Sequence, residues 1–211
     1  LGLPMKPGAA AARLLSGHRR MVTLAHIATE SPLAARSEYA VFSLGIGLDA
    51  DVVAISDQRP AAKYYFSSLN FATIATSQVL TKYRNRPPDM LVECGGQRVH
   101  AVSVLVQVHD LYTYWGRVPL LLSPDPGDGP TAVAIEKVSA SGTIGLAARG
   151  LFRRNMDRQR GIKVFHDFEK LVIHAEPSAA FQADGELLGK ADSVEITPAY
   201  DALTVIAPDS A

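Results

Sequence analysis

The sequence predicts a mainly β protein, an antiparallel β-sandwich with two helical insertions. Three observations lead there. From residue 162 onward the chain breaks into short extended segments at close intervals with turn residues between them, the pattern of a sandwich or barrel. Gly95-Gly96 separates two β-branched runs, which is a hairpin signal. Beyond a short N-terminal helix, only residues 57–86 and 141–154 keep helical spacing over a long stretch.

Taken in order, residues 7–19 (PGAAAARLLSGHR) suit that short helix: Pro7 near its start forfeits no hydrogen bond, Ala, Leu and Arg favour helix, and Gly17 ends it. Residues 21–29 alternate loosely as a strand, 29–37 with Pro32 form a loop, and 38–44 return as a second strand, so the two suit a hairpin. Across 57–86, apolar residues from Ala61 to Tyr83 recur at near-helical spacing, with Asp57 as N-cap, Arg59-Pro60 at the entry and Asn70-Phe71 as a point of division. Pro87 and Pro88 stop this block, because the residue before a proline is pushed out of the helical region. The Gly-Gly hairpin pairs 89–94 with 97–109. Residues 119–130 (PLLLSPDPGDGP) then read as a loop, 131–138 as a strand, and 141–154 as a helix whose Arg149, Arg153 and Arg154 suit the negative end of its dipole. Segments 163–168, 170–174, 178–183, 193–198 and 202–207 complete the sandwich.

Composition narrows the function. Lys and Arg (21) balance Asp and Glu (21) in 211 residues, so net charge predicts no nucleic-acid partner. Cys94 is the single cysteine, which excludes an internal disulfide and fits a reducing compartment. No apolar run approaches the roughly 20 residues of a membrane span, and no transmembrane segment is expected. No repeat, heptad or long linker divides 1–211, which reads as one domain. The opening Leu1-Gly2-Leu3-Pro4, without initiator Met or signal core, reads as a start inside a longer protein, either a cut fragment or a processed product.

The chain has no GxxxxGK[ST] phosphate loop, and Gly45-Ile46-Gly47-Leu48-Asp49 has two glycines where a dinucleotide fingerprint needs three. A strand end that turns sharply accounts for it equally. The histidines show no zinc spacing, and Ser43, Ser103, Ser123 and Ser139 lack a GxSxG context. Asp125, Asp128 and Gly129 offer oxygen ligands to a hard cation or serve as turn formers. Tyr112, Tyr114 and Trp115 form a dense aromatic cluster, either core or the lining of an apolar groove. The most informative stretch is Phe181-Gln182-Ala183-Asp184-Gly185-Glu186. Asp184-Gly185 suits a two-residue hairpin turn. On extended chain, Asp184 and Glu186 would also share a face and reach one hydroxyl or one magnesium ion.

The order of these features, from Gly45-x-Gly47-x-Asp49-Ala50 through Lys63-Tyr64-Tyr65, the proline loop with Asp128-Gly129 and Gln182-x-Asp184-Gly185-Glu186 to Ala202-Leu203-x-Val205-x-x-Pro208, resembles the C-terminal β-sandwich half of the diacylglycerol kinase family. That family includes bacterial lipid kinases and, more distantly, sphingosine and ceramide kinases. The resemblance covers about residues 1–208. It implies a second, nucleotide-binding domain with a Gly-Gly-Asp-Gly-Thr loop, absent from this sequence, and an active site in the cleft between the two. It implies transfer of the γ-phosphoryl of ATP, with magnesium, to a lipid hydroxyl, and an isolated chain that is inactive. Glu186 would accept the hydroxyl proton, Asp184 would orient it or support the metal, and Gly185 would let the chain reverse at the substrate. Tyr114 and Trp115 would line the lipid groove, Gly45, Gly47 and Asp49 form the glycine motif, and Asp128 is the metal candidate.

Two departures stand out. Asp128-Gly129-Pro130-Thr131-Ala132 lacks the second acid of the family's DGxLD-like run, and its glycine-rich segment shrinks to Tyr114-Trp115-Gly116. The expected partner is a lipid at a membrane surface, met by a cytoplasmic, peripherally associated protein, with a homodimer kept open. Arg149, Arg153, Arg154, Arg158 and Arg160 suit anionic headgroups or a solvated helix face. The alternatives are a non-catalytic lipid- or protein-binding sandwich, or a kinase of the NAD kinase or sphingosine kinase type.

Overall fold

A computed structural model describes residues 6–30, 35–58, 67–109, 111–115, 118–122, 129–138 and 159–207. Among them run α1 (Pro7–Leu15), β1 (His18–Glu30), β2 (Arg36–Ala40), β3 (Ser43–Gly47), α2 (Leu48–Asp57), α3 (Ser67–Gln78) with a π-helical turn (Val79–Tyr83), β4 (Met90–Cys94), β5 (Gln97–Ala101) and β6 (Ser103–Gln107). They are followed by β7 (Thr113–Trp115), β8 (Val118–Leu120), β9 (Thr131–Ile135), β10 (Ile162–Phe165), β11 (Leu171–Ala183) and β12 (Glu186–Ala207). The mainly antiparallel β architecture is the one the sequence predicts.

The ladder runs β10-β9-β6-β3-β11-β12-β1-β2, with β4 also on β11 and β5 on β4, while β7 and β8 form a separate ribbon. The sheet divides at β11. Residues 171–175 of that strand pair with β4, residues 181–183 pair with β3, and the register shifts between His174 and Ala179. The two leaves enclose a core in which Met90 and Val92 of β4 meet Leu44 and Ile46 of β3, Val104 and Val106 of β6, and Ile173, Phe181, Val194 and Ile196 of the long strands. Each such side chain contributes about 1.5–3 kcal/mol when taken fully out of water.

A second apolar cluster lies on the other face of β6 and β9, where Val133 and Ile135 pack with Val79, Tyr83, Tyr112, Leu122 and Val138. β3 and β9 are therefore buried along their whole length. Two covered faces remove the polar alternation that marks a half-exposed strand.

Differences from expectation follow from contacts distant in sequence. The helical block begins earlier: α2 starts directly after Gly47 and buries Ala50, Val52, Val53 and Ser56, so Asp57 is its last residue and not an N-cap. Gly47 holds a φ of 83°, and a Cβ there would meet the Val102 carbonyl oxygen at 2.7 Å, so only glycine makes this strand-to-helix corner. The π-helical turn is tied to α2 by Tyr83, whose hydroxyl donates to Asp51 at 2.5 Å. Segments 170–174 and 178–183 are one strand, as are 193–198 and 202–207, because β12 is paired along its length by β11 and β1. The expected strand 38–44 instead breaks at Val41 and Phe42. The β1–β2 hairpin stands as expected, and so does the Gly95-Gly96 hairpin over β4 and β5, but its expected second arm 97–109 ends at Ala101 and β6 pairs instead with β3 and β9. The helix expected over 141–154 lies outside the described residues.

Candidate functional site

The Asp184-Gly185 turn joins β11 to β12, with φ of 50° at Asp184 and 86° at Gly185. Both values are positive, as a two-residue hairpin turn of the right twist requires. This geometry replaces the extended chain on which Asp184 and Glu186 would share a face, so period-two alternation does not relate the two carboxylates. They are instead in different surroundings. Asp184 Oδ2 accepts the Val41 N–H at 2.7 Å, and its Oδ1 accepts those of Phe42 at 2.7 Å and Ser43 at 3.0 Å. Its own N–H donates to the Ser43 carbonyl at 2.9 Å. The Glu186 side chain is exposed and accepts no hydrogen bond among the described residues, while its backbone pairs with Ala183.

Beneath the turn lies the glycine motif. Gly45 pairs with Gln182 across β3 and β11. A Cβ on Gly45 would fall 2.0 Å from Asp49 Oδ2, so the missing side chain is the room into which Asp49 folds back from the first turn of α2. There Asp49 Oδ2 accepts the Tyr112 hydroxyl at 2.8 Å and Gln182 Nε2 at 2.6 Å. Loss of water raises the Asp49 carboxyl above the ordinary carboxylate range, and the two hydrogen bonds pull it part of the way back. Burial, then the adjacent Asp49 charge, pushes the Tyr112 phenol well above its usual value. Gln182 Oε1 in turn accepts the Gly185 N–H at 2.8 Å.

Asp49, Asp184, Gly185 and Glu186 are site residues already expected from the sequence, with Tyr112 expected in core or groove. Gln182 stands within the motif that carries the resemblance but has no role assigned there, and neither have the amides of Val41, Phe42 and Ser43. The sequence signal for Gln182 is a polar residue on a segment otherwise apolar toward the turn, and the structure buries it to 3% exposure.

Other expected site residues fall elsewhere. Tyr114 and Trp115 lie on the β7–β8 ribbon, beside the segment that carries Tyr112, and their side chains are outside the description. Asp128 and Arg149, Arg153, Arg154 and Arg158 lie outside the described residues, while Arg160 is exposed. Next to Asp128, the Gly129 N–H donates to Asp167 Oδ1 at 2.9 Å. Among the described residues no three His, Cys, Asp or Glu side chains converge, and Asp184 is occupied by amides. With both oxygens taken by peptide N–H groups, Asp184 does not fit a resident magnesium ion. No described helix is long and apolar enough to cross a membrane.

No family model and no curated protein matches the sequence. Solved structures do. Three from Bacillus anthracis str. Sterne, all named as diacylglycerol kinases and two of them provisionally, superpose over nearly the whole chain. The first has a TM-score of 0.69 at 19% identity and covers 99% of this chain and 63% of its own. The second has a TM-score of 0.62 at 15% identity over 99% and 61%, and the third 0.63 at 16% over 98% and 63%. This chain shares their fold. It spans less than two thirds of the length of each, so each of those proteins has a further part with no counterpart here.

Proposed function

We propose that this chain is the acceptor-binding and base-supplying part of an ATP-dependent lipid kinase of the diacylglycerol kinase type. The observation that carries this reading is the contrast within the turn: Asp184 is held by three amides while Glu186, two residues on, is exposed and its carboxylate has no partner among the described residues. A free carboxylate on an immobilised backbone is what general-base work on a hydroxyl requires. In that reaction the acceptor hydroxyl oxygen attacks the γ-phosphorus of ATP, its proton passes to Glu186, and the bond from γ-phosphorus to the bridging oxygen breaks to release ADP. Catalysis of this kind rests on positioning and charge compensation. The phosphates would be held by residues outside this chain, and magnesium would arrive with ATP. Tyr114 and Trp115 would line the apolar part of the acceptor. The protein would work at the cytoplasmic membrane surface, with Arg160 and the arginines before it drawn to anionic headgroups.

The Asp184 contacts also favour a second reading, a non-catalytic lipid-binding sandwich in which the turn is only structural. One experiment separates the two. The full-length protein, given labelled ATP and diacylglycerol in phospholipid vesicles, should form phosphatidate, and Glu186→Gln should lower kcat by about 10²–10⁴-fold. Activity equal to wild type in that variant removes Glu186 from the reaction, and no activity in wild type favours the second reading.

A further inference from the structure

We propose that Tyr112, Asp49 and Gln182 form a positioning chain that sets the backbone of the Glu186 turn from the α2 side; this rests on the kinase reading for its kinetic consequence but not for its structural one. The chain is continuous. The Tyr112 hydroxyl and Gln182 Nε2 both donate to Asp49 Oδ2, and Gln182 Oε1 accepts from the peptide N–H of Gly185, the residue immediately before Glu186.

Each member suits one place only. The Gln182 amide cannot be reversed, because its oxygen would then face a carboxylate and its NH₂ group would face an N–H. Asp49 reaches Gln182 only because Gly45, the register partner of Gln182, leaves the space open. Tyr112 is 7% exposed and Gln182 3%, so a lost partner would leave a polar atom without water to replace it.

An Asp-Gly hairpin turn needs none of this, since its own residues satisfy the turn. Holding a carboxylate in poorly hydrated surroundings is unfavourable for folding. What the chain adds is a second anchor. Asp184 ties the turn to Val41–Ser43 between β2 and β3, and Gln182 ties it to the start of α2. Two anchors from different elements fix the direction in which the next residue leaves the turn. A reacting hydroxyl requires this of its base, because a displacement of about 1 Å costs about 10²-fold in rate. Gln182, Asp49 and Tyr112 are thus positioning residues and do not touch the acceptor.

The test uses Gln182→Met in the full-length protein, with amide hydrogen exchange and steady-state kinetics on diacylglycerol vesicles. Exchange at Gly185 should rise by roughly tenfold or more while Val41, Phe42 and Ser43 stay protected. The kcat should fall by about 10–100-fold with the acceptor KM within about twofold. Added to Glu186→Gln, the same substitution should cost nothing further, whereas a merely structural defect would be additive. Unchanged Gly185 exchange overturns the chain, and faster exchange with unchanged kcat overturns its positioning role. If Gln182→Met does not fold, Tyr112→Phe removes one donor at equal volume, and a fall in kcat of about 3–10-fold at constant KM is expected. An unchanged kcat in a folded Tyr112→Phe overturns the proposal. Should the wild-type protein transfer no phosphoryl group, the kinase reading fails, and Gly185 exchange alone decides the chain.

Discussion

The carboxylate of Asp184 lies against the backbone of Phe42 and accepts its amide N–H at 2.7 Å across 142 residues of sequence. With the neighbouring amides of Val41 and Ser43, this makes Asp184 the fastening between the β11–β12 turn and the β2–β3 connection. Asp184→Asn turns one carboxylate oxygen into an NH₂ group that faces a peptide N–H. Unfolding in urea should show a loss of about 1–2 kcal/mol, the scale of charge-assisted bonds at a partly solvated site. Glu186→Gln, at an exposed side chain with no bond among the described residues, should stay within about 0.5 kcal/mol of wild type. Equal stabilities for the two variants would dismiss the fastening.

Gly45 lies in the middle of β3 and Gly96 in the β4–β5 turn, and alanine should act on them differently. At Gly45 the new methyl would overlap Asp49, 2.0 Å from its Oδ2 and 2.7 Å from its Cβ, so α2 must move. Gly96 has open space but a φ of 75°. Gly96→Ala should cost about 1–2 kcal/mol of backbone strain, and Gly45→Ala about 3 kcal/mol or more from overpacking. Denaturation midpoints give the order, and a milder effect at Gly45 would refute the close approach.

Asp49 predicts a sign for pH dependence. Its folded pKa is raised above the unfolded value of 3.8. The folded state therefore binds more protons between the two pKa values, so the contribution of Asp49 to stability is greatest below the unfolded pKa and declines as pH rises through the folded one. Asp49→Asn abolishes this titration. Wild type minus variant stability, measured by urea denaturation from pH 4 to 8, should fall with rising pH and then level off. A difference that grows with pH would contradict the dehydrated setting.

Cys94 ends β4 at 8% exposure, and burial pushes its thiol above the usual value. Both reduce the accessible thiolate. A thiol reagent at pH 8 should label the folded protein about 100-fold more slowly than the protein in urea. Matching rates would mean that β4 opens readily.

Some of the site was legible without a structure, and the part that was is local. Asp184-Gly185 and Gly95-Gly96 announce hairpins because positive φ is a property of the residues themselves. The strands flanking them are readable for the same reason, as is α1 with Pro7 at its first position. The boundary of α2 was not legible, since Gly47 turns the chain there to avoid the Val102 carbonyl, a contact between segments. The unity of β12 was not legible either, because the partners that keep it extended come from both ends of the chain.

By itself the sequence determined a mainly β chain with tight turns, a lone cysteine and two acids beside one glycine turn, since these depend on residue type and near neighbours. Only the tertiary structure decided that Asp184 is fastened while Glu186 is exposed and without a side-chain partner among the described residues, and that Gln182 meets Asp49 from 133 residues away above a glycine. The physical reason is that a carboxylate's role depends on which donors reach it. Here the pairing of β3 with β11 brings the Val41–Ser43 amides to Asp184 and Gln182 to Asp49, which the first turn of α2 presents.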